Sequence, residues 1–257
     1  MIQNRYKVIE KLSNGSSSTC YLCEDTTESC KVVLKIIPRT EKYSEENFMN
    51  ETKMLEQCSN PAVIRVYGTI ITKDEFVLIL EPGIDDLLNF IQKNGPLSEK
   101  KARTYFNNLT QALKVIHSQG IVHNDVKLEN MVITKDDKIK LIDFGLSEKL
   151  NDGQKSKSPK GTFHYLAPES MMFKPHDAKS DVWSLGVSLF TALTGEFPFD
   201  GKDEYEYSMS ALQKQPKMEL LEKHHVSGSL SKLICKMLEK KPEKRISIQD
   251  CDKFDWL

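Results

Sequence analysis

The chain has 257 residues, 39% of them hydrophobic, enough apolar material for a buried core and too much for global disorder. Lys and Arg number 36 against 37 Asp and Glu, a formal charge of -1. That balance excludes a bulk basic field of the kind that binds nucleic acid or anionic membranes, so any polyanion must be held locally.

The opening MIQNRYKVIEKL lacks the apolar core of a signal peptide, and VWSLGVSLFTAL (182–193) is too short to span a bilayer. That stretch reads as a helix buried in the core. Cys20, Cys23, Cys30, Cys58, Cys235 and Cys251 show no paired zinc spacing and read as reduced thiols of an intracellular protein, cytoplasmic, nuclear or both.

In chain order, YKVIEKL, TCYLCED, CKVVLKII, VIRVYGTII and FVLIL predict strands up to about residue 80, separated by Gly, Asn, Ser, Thr or Asp. One helix interrupts them over about 44–57, where Phe48, Thr52 and Leu55 form an apolar face and Glu51 can point the same way. After Glu81-Pro82-Gly83 the period becomes helical, in LLNFIQKN, in SEKKARTYFNNLTQALKVIHSQG and in the buried VWSLGVSLFTALTG, with Gly120 and Gly195 as stops. A β-rich lobe and a helical lobe with a short connector follow. DGQKSKSPKG (152–161) is polar and lysine-rich and reads as a mobile surface loop.

The chemistry gathers in HNDVKLENMVI (123–133) and, 18 positions beyond Asp125, in IKLIDFGL with Asp143. Both acidic residues fall at the ends of short apolar runs that read as paired strands. DFG alone is a weak signal, and the order of several motifs is what carries weight. VVLK with Lys35, Glu51 in the helix, HNDVKLEN, DFG, GTFHYLAPE (161–169), DVWSLG from Asp181 and Arg245 follow one another in a set that resembles the eukaryotic protein kinase family over essentially the whole chain. The wording KLEN and the acidic pair Asp85 and Asp86 are most similar to its calcium/calmodulin-dependent and AMP-activated branch.

The resemblance implies an α+β, bilobal fold: N-lobe 1–80, hinge 81–86, C-lobe 87–257 and an activation segment over 143–169. It implies a serine/threonine kinase that takes ATP with Mg2+, or Mn2+ in its place, as nucleotide and a polypeptide as substrate, without nucleic acid or membrane and with its regulator open. Lys35 would hold phosphates and pair with Glu51, Asp143 and Asn130 would bind metal, and Asp125 would accept the substrate proton beside Lys127 and Thr162. The nucleotide would lie among Leu12, Ser13, Gly15, Cys20, Val33, Leu80, Glu81, Gly83, Asp86 and Val132. His123 and Phe144 would be packing, stacked with Leu55 and Val66 and anchored by Asp181.

Several positions depart from that pattern. Ser13 and Ser18 flank Gly15 where the family places glycines, Val33 stands for Ala and Cys20 for Val, which implies altered nucleotide binding. Asn124 stands where many kinases carry Arg, and Asn47 and Glu148 stand at two other positions that help hold a phosphorylated segment. Ser158 aligns with the usual phosphosite and Ser156 lies nearby, so activity is expected not to require phosphorylation there. Lys155, Lys157 and Lys160 are the substitute cations available. Asp85, Asp86 and Glu129 point to basic residues upstream of the acceptor, or Asp85 and Asp86 only cap the next helix. A partner-binding pseudokinase and a small-molecule kinase are the rival readings.

Overall fold

In a computed structural model of the chain the described residues are 2, 4–14, 18–41, 43–151, 153–157 and 159–254, with Ser13 and Asn14 described by their backbone alone. The assignments made to Gly15 and Ser158 lie outside them. Strands β1 (Tyr6–Asn14), β2 (Thr19–Asp25), β3 (Cys30–Pro38), β4 (Val66–Ile71) and β5 (Glu75–Leu80) form an antiparallel sheet in the order β1-β2-β3-β5-β4.

Alternation along a strand sorts the side chains of β3 and β5 onto two faces. Val32, Leu34, Val77 and Ile79 pack in one cluster with Tyr6 and Cys23, whereas Val33, Ile37, Phe76, Leu78 and Leu80 join the main core. Lys35, in step with Val33 and Ile37, therefore lies on the core face. There it meets helix α1 (Glu45–Gln57), whose buried residues Phe48, Glu51, Thr52 and Leu55 recur at the three- and four-residue spacing of one helical face. Ser44 and Asn47 close a reciprocal capping box at its start.

The connector tightens against the second lobe. Ile84 donates to the Ile133 carbonyl at 2.8 Å, and a Cβ at Gly83 would come within 1.8 Å of Val132 Cγ1, so only glycine fits that crossing. Beyond it, β6 (Asp85–Asp86) joins β8 (Met131–Ile133) and β9 (Ile139–Leu141), while β7 (Ile121–Val122) pairs with β10 (Glu148–Lys149). The loop 123–130 is thus held at both ends by strands, and the run containing Asp143 leaves β9 beside it.

The helical body consists of α2 (Leu87–Asn94), α3 (Glu99–Ser118), α4 (Pro168–Met171), α5 (Lys179–Thr194), α6 (Glu204–Gln213), α7 (Met218–Lys223) and α8 (Gly228–Met237). Every residue of α5 from Ser180 to Thr194 is buried, as its all-round apolar sequence requires, and Gly195 ends it at φ 77°. Among the described residues no helix is long and apolar enough to cross a membrane. The expectation of a mobile loop over 152–161 is corrected for part of that stretch: Ser156 is 1% exposed and its backbone pairs both ways with His176, at 2.9 and 3.0 Å.

Candidate active site

Two clusters of charge are linked through the backbone, where the Ile142 N–H, next to Asp143, donates to the Asn130 carbonyl at 2.9 Å. In the first, buried Lys35 reaches Glu51 Oε1 at 3.2 Å and Asp143 Oδ1 at 2.7 Å. Burial disfavours charge on Lys35, but the two carboxylates outweigh it and hold the ammonium above the usual lysine range. Burial also works against the Asp143 carboxylate, and the same ammonium more than compensates, lowering its pKa. Asp143 sits at φ 64°, with its Oδ1 accepting from Gly145 N–H at 3.1 Å.

The second cluster surrounds Asp125. Its Oδ1 accepts from the Thr162 N–H at 3.1 Å and the Thr162 hydroxyl at 2.9 Å, and its Oδ2 accepts from Asn130 Nδ2 at 2.9 Å and lies 2.8 Å from Lys127 Nζ. Lys127 also donates to Thr162 Oγ1 at 2.6 Å. These donors fix the carboxylate in one orientation. Beneath it Asp181 Oδ2 accepts from the His123 N–H and Oδ1 from the Asn124 N–H, at 2.8 and 2.9 Å, and His117 Nε2 meets the same carboxylate at 2.8 Å. The imidazole of His123 packs edge-on against Phe144 at 4.8 Å, in the core that holds Leu55 and, at its margin, Val66.

The oxygens left over are those a hard cation takes. Among the described residues every hydrogen bond to Asp143 falls on Oδ1, and the Asn130 amide oxygen accepts none. One carboxylate oxygen and one amide oxygen suit Mg2+, which keeps waters and phosphate oxygens for its remaining positions. Among the described residues no group of three His, Cys, Asp or Glu is placed to hold a metal ion.

In the sheet, Cys20 lies opposite Lys35 and Ser13 in the β-register, and Val33 lies opposite Leu80. Val33 and Leu80 are buried, Leu12 is exposed, and Val132 packs against the Gly83 backbone. Among the described residues the Gly83 N–H has no protein acceptor, so it is available to a flat heteroaromatic ligand. Glu81 is drawn to Lys140 at 2.8 Å. Asp86 caps α2, accepting from the Asn89 N–H at 2.9 Å, and Asp85 pairs with Lys93 at 2.7 Å. Asp86 is thus the cap of α2, while Asp85 stands in an ion pair. Glu129 accepts from the Tyr165 hydroxyl at 3.1 Å.

Ser156, named from sequence as a possible phosphosite in a mobile surface loop, is buried and donates to Glu148 Oε2 at 2.8 Å. The lysines read as substitute cations for a phosphate are already drawn to carboxylates in two of three cases, Lys160 to Glu148 at 3.0 Å and Lys155 to Asp177 at 3.5 Å. Sequence reasoning missed Tyr43, whose hydroxyl donates to Glu51 Oε2 from the opposite side to Lys35. It lies just before the helix cap, and only its aromatic character next to Ser44 could have drawn attention to it.

Comparison with known proteins follows the same lines. The protein kinase domain family matches residues 6–257. Sperm motility kinase 3A of Mus musculus is 32% identical over 260 residues, 98% of this chain and 50% of the relative. The ovarian-specific serine/threonine-protein kinase Lok of Drosophila melanogaster is 33% identical over 276 residues, covering 100% of this chain and 57% of Lok. A carbon catabolite-derepressing protein kinase of Saccharomyces cerevisiae is 31% identical over 258 residues, 98% of this chain and 40% of its own. The chain thus spans about half the length of the curated relatives it matches.

Proposed function

The chain belongs to the eukaryotic serine/threonine protein kinase family, and on that premise we propose that it transfers the γ-phosphate of ATP to serine and threonine hydroxyls of polypeptides. The observation that carries this is the Asp125 carboxylate, fixed by Thr162, Lys127 and Asn130, with Asn130 joined by its carbonyl to Ile142 N–H beside the Asp143 that pairs with Lys35. The acceptor oxygen attacks the γ-phosphorus, the bond to the bridging oxygen breaks, ADP leaves, and the hydroxyl proton passes to Asp125. Lys127 offsets charge on the transferred group, and Lys35, oriented by Glu51, does so on the phosphates of the nucleotide. Asp143 and Asn130 would hold Mg2+, which when bound would supply further positive charge there. The Gly83 N–H, Val33, Cys20, Leu80 and Val132 are the proposed seat of the adenine.

This activity is independent of phosphate on the activation segment. Asn124 has an uncharged side chain spent between the Leu146 carbonyl at 3.0 Å and His176 at 3.1 Å, and Asn47 is spent on the cap of α1. A preference for basic residues upstream of the acceptor is supported by the negative charge of Asp85, Asp86 and Glu129.

A serine- and threonine-peptide library with Mg-ATP tests the reading. We expect phosphate incorporation that Asp143→Asn lowers by about a hundredfold or more. The pair Ser156→Ala with Ser158→Ala should retain turnover. Absence of incorporation by the wild-type chain would favour a partner-binding pseudokinase, and loss of turnover on phosphatase treatment of the wild-type chain would end phosphate independence.

A further inference from the structure

If no phosphate holds the activation segment, something else must place Thr162 against Asp125. Strand β10 fixes Glu148 opposite Val122, one residue before His123, so its carboxylate is rooted beside the catalytic loop. Onto one oxygen of that carboxylate converge the Ser156 hydroxyl at 2.8 Å and the Lys160 ammonium at 3.0 Å. Ser156 is itself tied by its backbone to His176, and His176 Nε2 meets Asn124 Oδ1 at 3.1 Å. The ring closes where Asn124 donates to Leu146 at 3.0 Å, two residues before Glu148.

Lys160 leads directly into the contact with Asp125. Gly161 follows at φ +112°, where a Cβ would come within 2.3 Å of the Asn124 carbonyl, and Thr162 then donates to Asp125 by both N–H and hydroxyl. Only Gly161 separates Lys160 from Thr162, so holding Lys160 on Glu148 limits where Thr162 can lie.

Resting on the kinase reading above, we propose that Glu148 and Lys160 form a phosphate-free latch of inverted polarity that positions Thr162 for catalysis. A phosphorylated segment places its anion on the mobile stretch and its cations on the fixed body. Here the anion is on the root strand and the cation on the stretch that must be held. Burial opposes the charge on Glu148, yet Ser156 and Lys160 keep its pKa below the ordinary glutamate value, so the carboxylate is ionised at neutral pH. A phosphate added at Ser156 would meet Glu148 and open the latch, the reverse of its usual effect.

Charge exchange tests this. Glu148→Lys and Lys160→Glu should each lower kcat for a peptide about tenfold, between the small effect of exposed pairs and the large effect of buried ones. KM for ATP should stay unchanged. Joining the two substitutions restores the pair with polarity reversed and should return kcat to within about threefold of wild type. Unchanged kcat in both single variants, or no rescue in a double variant that resists denaturant like wild type, would overturn the latch. Should the double variant unfold, Lys160→Met decides, since unchanged kcat there also overturns it.

Trypsin cleavage after Lys155 and Lys157 reads the same latch without any turnover: faster cutting is expected in each single variant, and equal cutting would count against it. Failure of the kinase reading shows separately, as absent phosphotransfer by the wild type. Failure of phosphate independence shows as activity lost on phosphatase treatment.

Discussion

Two of the ion pairs that hold the activation segment are of opposite character. Near its root, Glu148 and Lys160 leave about a third of each side chain in solvent, at 31% and 33% exposure. At its far end Glu169 and Arg245 are 5% and 0% exposed and meet through two parallel hydrogen bonds at 2.7 and 2.8 Å. Arg245 also donates to the carbonyls of Lys179 and Glu239, each at 2.8 Å, and lies over the Trp183 ring at 5.2 Å. A buried pair cannot lose one member cheaply, because the other is left charged in a low dielectric. A half-exposed pair exchanges with water at little cost. The far end is therefore architecture, and the root is where the segment can be adjusted.

The sharpest way to break that contrast is Arg245→Ala. Removing the guanidinium strands the Glu169 carboxylate and empties the site above Trp183, so we expect a loss of about 3–5 kcal/mol in stability. Denaturant midpoints measure it. A loss below about 1 kcal/mol would put both pairs in one class and remove the distinction.

Acidification should act chiefly on the root. Burial lowers the pKa of His176, and that of fully enclosed His123, below the ordinary histidine value, so both rings are neutral in the folded chain near pH 7. The unfolded chain takes up these protons at about pH 6.5. The stability they confer is fully present above that pH and is lost as pH falls toward the depressed folded values, at most about 1.4 kcal/mol per pH unit for each ring. We expect a total loss of about 1–2 kcal/mol between pH 7.5 and 5.5, with a shallower slope in His176→Gln. A slope unaltered by that substitution would show that the root does not contain the titrating group.

The fold was legible where chemistry is dense in sequence. Strand composition in CKVVLKII and helical spacing from Phe48 to Leu55 made β3 and α1 legible with Glu51 inward, whereas the meeting of Lys35 and Glu51 was implied by the family resemblance. The loop 123–130 and Asp143 were readable because short apolar runs flank them. The segment 152–161 misled because its lysines and serines look solvated. Docking there depends on a register between Ser156 and His176, 20 residues apart, which local composition does not encode. Asp85 and Asp86 fitted two roles equally well from sequence, and the position of Asn89 shows that Asp86 caps while Lys93 shows Asp85 in an ion pair.

Tyr43 gives the smallest effect and tests whether the contrast extends to α1. Its ring packs edge-on to Phe76 at 6.0 Å, and its hydroxyl donates to Glu51, the buried partner of Lys35. Burial and the neighbouring Glu51 carboxylate raise the Tyr43 pKa, so the hydroxyl stays protonated as a donor. Here a half-buried neutral group supports a buried charge, a case between the two ends of the segment. Tyr43→Phe keeps the ring and deletes one charge-assisted hydrogen bond, part of which water replaces. We expect a loss of about 1 kcal/mol, or about fivefold in kcat, with peptide KM unchanged. The effect should vanish in a Glu51→Gln background, where the charge that the hydroxyl supports is gone. An equal loss in both backgrounds would mean that Tyr43 acts through packing on Phe76 and that α1 is positioned by Lys35 without it.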